Sequence, residues 1–326
     1  MKGKTEMILD FLNSDLNGES WENLCIACYK MRYASEHFTD IPANRGGDGG
    51  IEGYTENGIV IQCYCPLDKN LSHQDLYENL RDKMTQDINK FIDEKNSKNL
   101  KKLGIPPIKE WHFVIPEYKD NRILEHKTKK IQLVKKTRES NLELYDYISE
   151  DFRIIVKVAE DFRIELSRIL RSSLTDIAMN IELSNYTKPD WSKSDNTKIN
   201  NIKRKILAIA PNLEDNLDSF NHILDLYMTH YLEGIEKFER LGKSFPDIRK
   251  DLLDLETAFK MNVTTKTLMN TDKTLNSKIF NELGDEFEKK LREDFSFLSN
   301  TTTMNLKWNL VCKWLADCSM EFKGAD

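Results

Sequence analysis

The residues best suited to chemistry lie in the segment RGGDGGIEGYTENGIVIQCYCP, at positions 45–66. Asp48 and Glu52 flank a Gly-Gly-Ile sequence, and Gln62 follows within a strand-like stretch. Cleavage of a phosphodiester needs hard cations that polarise the phosphate and lower the pKa of an attacking water. Mg²⁺ takes oxygen ligands from carboxylates, amides and backbone carbonyls. The segment therefore predicts a magnesium (or manganese) site that includes Asp48, Glu52 and Gln62. Cys63 is included as a further candidate metal ligand.

A β-hairpin is predicted to position these groups. The sequences IEGYT (51–55) and IVIQCYC (59–65) have strand composition, and Glu56-Asn57-Gly58 between them is a turn signal. Because side chains alternate along a strand, Gln62 and Tyr64 should share one face, with the cysteines of this strand on the other.

Nucleic-acid contacts are predicted around the same loop. Glycines beside Asp48 allow a nucleic-acid backbone to approach closely. We therefore expect Arg45, Gly49 and Tyr64 to contact the substrate.

This segment resembles the Mrr-like branch of the PD-(D/E)XK nuclease superfamily. The matching pieces are Glu22 in WENLC, GDGGIEG at 47–53, and Gln62 in IVIQCYC, and the resemblance covers about residues 15–165. It implies a restriction-endonuclease-like fold that cleaves double-stranded DNA. It also implies that Glu52 and Gln62 bind metal, with Asp48 and Glu22 close by.

The sequence departs from that family at the motif lysine, whose position is occupied by Tyr64. A tyrosine with an unperturbed pKa of ~10 is neutral at working pH and cannot supply the lysine's positive charge. Some members of the superfamily take a lysine from the next helix, which here offers Lys83. The alternative is that Lys83 is a surface lysine paired with Asp87 at i+4.

The pattern of the chain predicts an α/β nuclease domain over 1–170, a linker over 171–196, and a mostly α-helical domain over 197–326. Within the first domain, helices are expected at 20–38 (capped by Ser20), 71–95 and 119–139, strands at 111–116 and 142–147, and a helical run at 151–170. The resulting order of elements favours helices packed against a small sheet.

The helical half has no recognisable chemistry, and we expect it to serve assembly or regulation. By resemblance, the combination looks like an effector nuclease of bacterial anti-phage defence, of the Lamassu type. That resemblance implies an SMC-like ATPase and a small third subunit as partners. A homo-oligomer is expected either together with these partners or in their place. Two alternatives stay open: a degenerate nuclease fold that binds DNA or acts as a scaffold, and a protein that is chiefly an interaction module.

The overall composition limits which functions the sequence allows. A formal net charge of −6 excludes general polyanion binding. The segment from Lys95 to Arg138 nevertheless carries thirteen Lys/Arg against four Asp/Glu, which fits either phosphate binding or a solvated helix face. The absence of a long apolar run predicts a cytoplasmic protein without a membrane span.

The six cysteines form three local pairs. Cys25/Cys28 and Cys63/Cys65 are interpreted as buried thiols rather than as a zinc site, because the first pair lies in a predicted helix. His112 has no ligand spacing and is not expected to bind metal.

Overall fold

The computed structural model describes residues 8–13, 17–41, 49–68, 71–172, 177–182, 188–317 and 319–324. The chain divides into two compact units: Ser14–Ile169, and Leu170–Asp326 together with Met1–Asn13. The N-terminal segment belongs to the second unit because strand β1 (Leu12–Asn13) pairs with β7 (Ala178–Met179). This differs from the sequence-based boundaries, which assigned residues 1–13 to the nuclease domain and 171–196 to a linker.

The first unit is built on a five-stranded mixed sheet with the strand order β2-β3-β4-β5-β6. Strand β3 is antiparallel to both β2 and β4, whereas β4, β5 and β6 run parallel to one another. Its elements are α1 (Gly18–Arg32), β2 (Thr39–Asp40), β3 (Gly53–Tyr54), β4 (Ile59–Cys63), α2 (His73–Phe91), α3 (Glu94–Lys102), β5 (Ile108–Ile115), α4 (Arg122–Ser140), β6 (Ile148–Val158) and α5 (Arg163–Arg171). The α/β class expected for this part of the chain is confirmed.

Helices pack on both faces of this sheet. The apolar stripe of α2 lies in one core cluster with Trp111 and Phe113 of β5. On the other face, the indole N–H of Trp21 in α1 donates to the carbonyl of Val114 at 3.1 Å. Because neighbouring residues of β5 are buried on opposite sides, its run WHFVI is buried throughout and mostly apolar rather than alternating.

The expected helical run over 151–170 is wrong in its first half. Residues 148–158 form β6, which pairs in parallel with β5, and the helix α5 begins only at Arg163. The β-branched sequence Ile-Ile-Val favours a strand here, and pairing with β5 satisfies its backbone. The stretch 142–147, expected as a strand, is a turn region that leads into β6.

The start of the first helix also differs from the prediction. The N-cap is Asn17 rather than Ser20, which instead completes a reciprocal capping box as the third helical residue. Helix α3 was not predicted; its N-cap Asp93 accepts hydrogen bonds from the amides of Lys95 and Asn96.

The second unit is mainly helical. Its longer elements are α6 (Asn196–Ile209), α7 (Leu217–Ser244), α8 (Pro246–Leu268), α9 (Asn276–Asp294) and α10 (Asn300–Ala316). Trp314 of α10 is fully buried, with its ring 4.9 Å from that of Phe287 and 5.8 Å from that of Phe259. The core of this unit therefore forms where α10 meets its neighbouring helices.

Candidate metal and nucleic-acid site

The β3–β4 hairpin brings Glu52 beside Gln62. The amide N–H of Glu52 donates to the carbonyl of Ile61 at 2.8 Å, and the Glu52 carbonyl accepts from Ile41 at 2.8 Å. The turn contains Gly58 at φ 89°, in the left-handed region that glycine adopts readily. Backbone pairing on both sides thus fixes the position from which the Glu52 side chain extends.

The two side chains are in direct contact and almost fully buried. The Gln62 amide nitrogen donates to Glu52 Oε1 at 2.6 Å, and the backbone N–H of Cys63 donates to Glu52 Oε2 at 2.7 Å. Glu52 is 7% exposed and Gln62 is 2% exposed. Burial of a carboxylate is unfavourable unless hydrogen bonds compensate it, and both oxygens of Glu52 have such a bond.

The amide oxygen of Gln62 is buried without a hydrogen-bond partner among the residues that the structure describes. An unsatisfied buried acceptor costs about 1–3 kcal/mol. This oxygen belongs to the same amide that contacts Glu52, and the Cys63 carbonyl lies 3.4 Å from that amide's nitrogen. The Glu52 carboxylate and the Cys63 carbonyl therefore both lie against the Gln62 amide, whose oxygen has no partner among the described residues.

These donors fit a hard cation such as Mg²⁺ but do not complete its coordination. Within the described ranges, no cluster of three or more His, Cys, Asp and Glu side chains is arranged to hold a metal. Asp48 and Arg45, both expected at this site, lie outside the described residues. A cation bound here would therefore be coordinated by Glu52, the Gln62 amide oxygen and further oxygen ligands.

The cysteines that the structure describes are buried free thiols. The thiol of Cys63 is hydrogen-bonded with that of Cys25 on α1, and burial raises the pKa of both. Within the described ranges, no three of Cys25, Cys28, Cys63 and Cys65 form a group that could hold a metal. The Cys63 thiol is also hydrogen-bonded with Glu52, and because burial raises its pKa well above the usual value it is a neutral thiol beside that carboxylate at ordinary pH.

Glu22 lies in the first turns of α1 and is partly exposed. Burial is the largest cause of the raised pKa of Cys25, and the charges of Glu52 and Glu22 raise it further. Both carboxylates thus act on one thiol from different elements, which places Glu22 in the same neighbourhood as Glu52.

Tyr64 packs on the α2 side of the sheet, the side opposite the Cys63 thiol that contacts Cys25 of α1. The ammonium of Lys83 lies 6.0 Å from the centre of the Tyr64 ring. Burial raises the pKa of Tyr64, and the nearby Lys83 charge lowers it in part. The Tyr64 phenol is therefore neutral at ordinary pH.

Lys83 is held by a carboxylate that sequence analysis treated only as a surface partner. Lys83 Nζ is 2.9 Å from Asp87 Oδ1, and Lys90 Nζ is 3.8 Å from the same oxygen. The Asp87 side chain is 1% exposed, whereas 24% of the Lys83 side chain is exposed. Asp87 is thus a buried acid inside the α2 stripe, and the sequence signal for it was its place between Met84 and Ile88.

The glycine loop packs closely against this part of α2. A Cβ on Gly50 would lie 2.5 Å from the carbonyl oxygen of Asp87, and Gly50 has φ 79°. Gly49 is buried, and a Cβ on Gly49 would lie 3.1 Å from Cδ2 of Leu100. These glycines allow helices to approach the loop, which is a different role from the nucleic-acid contact expected for Gly49.

A second buried polar group was missed by sequence reasoning. Nδ1 of His112 is 2.7 Å from the hydroxyl of Tyr29, and its Nε2 is 2.9 Å from Glu110 Oε2. Burial lowers the pKa of His112 to about 4, although Glu110 opposes this change. The bond to Tyr29 joins the sheet to α1 on the face opposite Tyr64, and the bond to Glu110 lies within β5.

Comparisons with known proteins give no functional assignment for this chain, so the assignment depends on the geometry of the site. The chain matches no protein-family model, no curated protein and no solved structure. Among the described residues, no helix has the length and apolar character needed to cross a bilayer.

Proposed function

We propose that the unit Ser14–Ile169 is a metal-dependent endonuclease of the PD-(D/E)XK kind that acts on double-stranded DNA. The observation that carries the proposal is the buried contact between Glu52 and Gln62, which leaves the Gln62 amide oxygen without a partner in the described residues. Acid and amide come from neighbouring strands, in the order and spacing of the motif that this sequence resembles.

In this proposal Glu52 and Gln62 hold a magnesium ion, together with the Cys63 carbonyl and Asp48. Bound there, the ion would polarise the scissile phosphate and lower the pKa of a water molecule. The backbone N–H of Cys63 fixes one oxygen of the Glu52 carboxylate at 2.7 Å. Such a bond orients a ligand before metal arrives, as outer-shell partners do in metal sites.

Negative charge develops at the phosphate during cleavage, and a nearby ammonium stabilises it. We assign this role to Lys83, because its ammonium lies beside Tyr64, at the position of the absent motif lysine. Asp87 orients Lys83 through the 2.9 Å ion pair. Tyr64 offers an aromatic surface and a neutral hydroxyl.

The test is Glu52→Gln, which removes the charge but keeps the size of the side chain. Cleavage of supercoiled plasmid in Mg²⁺ or Mn²⁺ should fall at least a hundredfold, while circular dichroism stays unchanged. The matched control is Glu56→Gln, an exposed acid in the same hairpin, which should cleave like the parent. Normal cleavage by a folded Glu52→Gln protein would reject the assignment.

A second candidate function is a degenerate nuclease fold that binds DNA as a subunit of a defence complex. It is favoured by Tyr64 at the lysine position and by the neutralisation of Lys83 by Asp87. It predicts DNA binding without cleavage, with or without partner subunits. For either function, we propose that the helical unit mediates assembly with a second copy or with an SMC-like ATPase and a small third subunit.

A further inference from the structure

One surface of the first unit collects basic side chains from two helices that pack against each other, α2 and α4. The hydroxyl oxygen of Thr85 in α2 lies 2.9 Å from Nε2 of His126 in α4, which joins the two helices at this surface. Residues three, four or seven positions apart lie on the same side of a helix. The cations beside this contact and along the same side of α4, here called the basic ridge, are Arg81, Lys129, Lys130 and Lys136.

Three cations of the basic ridge lie around the ring of His126. Burial lowers the pKa of His126, and the charges of Lys130, Arg81 and Lys129 lower it further. Asp82, which is exposed and paired with Arg81 at 2.7 Å, opposes them. Three cations and one acid thus leave a net positive charge where α2 meets α4.

The lysines of the basic ridge have no carboxylate partner within the described ranges. Lys129, Lys130 and Lys136 form no ion pair there, although Glu125 precedes Lys129 by four residues on the same helix. Burial lowers the pKa of Lys130, so part of its hydration is lost without a compensating anion. By contrast, acids of the same helix pair with each lysine of α9, which are Lys278, Lys289 and Lys290. The basic ridge therefore leaves its charge available to an external anion.

The spread of these charges matches a row of phosphates. Lys129 and Lys136 are seven residues apart, which corresponds to about 10 Å along the helix at ~1.5 Å per residue. Arg81 extends the charged surface onto the neighbouring helix. Duplex DNA carries one negative charge per ~1.7 Å of helix axis, so several phosphates can face the basic ridge at once. A single small anion would meet only the cations around His126.

The apolar residues of α4 argue against a membrane as the partner. Ile123 and Val134 are buried in the core beneath the helix. Leu133 is the exposed large apolar side chain of α4. Helices that lie in a membrane interface insert a continuous apolar face, and the outer side of α4 lacks one.

We propose that the basic ridge binds the sugar–phosphate backbone of double-stranded DNA. Its lysines neutralise phosphates and release the counterions condensed on them, and Arg81 donates N–H hydrogen bonds to phosphate oxygens. The basic ridge includes none of the proposed catalytic residues, so it positions the duplex and takes no part in cleavage. That the polyanion is duplex DNA rests on the proposed function, whereas the charge of the surface does not.

Fluorescence anisotropy with a labelled duplex of about 20 base pairs tests this proposal, with the full chain in EDTA so that the DNA stays intact. Lys129→Gln/Lys130→Gln/Lys136→Gln should bind at least about tenfold more weakly than the parent at ~0.1 M salt. The slope of log Kd against log salt concentration should fall by about one for each lost phosphate contact, hence by about two to three.

Two control variants separate the charge of the basic ridge from other effects. Lys129→Arg/Lys130→Arg/Lys136→Arg keeps the charge and should keep the parent's affinity and slope, since arginine also binds phosphate. Three lysines of the second unit likewise form no ion pair with a described residue, and binding should be unchanged in Lys203→Gln/Lys260→Gln/Lys273→Gln.

Unchanged affinity and slope in the ridge glutamine variant would overturn the proposal. So would failure of the parent to bind the duplex, or its binding to phosphatidylserine vesicles in place of DNA. Plasmid cleavage in Mg²⁺ tests the proposed function separately. Ridge-dependent DNA binding without cleavage would reject the nuclease and keep the basic ridge, whereas cleavage with ridge-independent binding would do the reverse.

Discussion

The buried imidazole of His112 makes the stability of the first unit depend on pH. In the neutral form, Nε2–H donates to Glu110 and Nδ1 accepts from the Tyr29 hydroxyl, so both nitrogens are satisfied. Burial lowers the pKa from 6.5 to about 4 in the folded protein. Between these values the unfolded chain binds a proton that the folded chain does not, so the free energy of unfolding falls as pH falls.

The difference between 6.5 and about 4 corresponds to roughly 3 kcal/mol, at ~1.4 kcal/mol per pH unit. Urea unfolding from pH 7 to pH 4 should show this loss in the parent protein. In His112→Gln, which cannot be protonated, the loss should be smaller by that amount. His73→Gln, which removes an exposed imidazole, controls for the loss of a histidine as such. A stability difference between parent and His112→Gln that stays constant with pH would refute the reasoning.

Three further predictions concern the loop, the catalytic charge and the division of the chain. Gly50→Ala should lower the free energy of unfolding in urea melts by ~2–4 kcal/mol, because the alanine would have a positive φ and its Cβ would collide with the Asp87 carbonyl. As a control, Gly104→Ala, at φ 66° in open space, should lower it by only ~1 kcal/mol. Lys83→Ala should abolish plasmid cleavage but keep DNA binding in gel-shift assays, whereas Tyr64→Phe should be mild; the reverse pattern would exclude Lys83 as the catalytic charge. A protein of residues 14–172 should be soluble and give an α/β circular dichroism spectrum, and an unfolded product would show that this unit needs the rest of the chain.

The hairpin could be predicted from sequence because its signals are local. Alternation with a period of two predicted that Tyr64 and Cys63 lie on opposite faces, and the structure places Tyr64 beside Lys83 of α2 and the Cys63 thiol beside Cys25 of α1. Strand β6 could not be predicted in the same way. Its residues Ile154-Ile155-Val156 favour a strand locally but lie beside a helix-forming sequence, and pairing with β5, about forty residues earlier, decides between the two.

The pairing of Asp87 with Lys83 was foreseen as an alternative, but the burial of Asp87 was not, because it depends on tertiary packing. An acid one residue before Ile88 in an amphipathic helix is expected at the border of the apolar stripe, partly in water. Here the backbone of Gly50 approaches the same turn of α2 and covers it. The burial of Asp87 thus depends on a loop almost forty residues away.

The sequence left two interpretations of Lys83 open, a solvated partner of Asp87 or a charge for the proposed site. Lys83 is paired with Asp87 and also lies beside Tyr64. Because Asp87 is buried, its charge is screened less by water than that of a surface acid, and it holds Lys83 firmly. The pair therefore contributes less net positive charge than a free lysine but a better oriented N–H donor. Stabilisation of a phosphate by such a pair would depend on geometry more than on charge, so an arginine at position 83, with its longer and planar head group, is a poor substitute for the lysine.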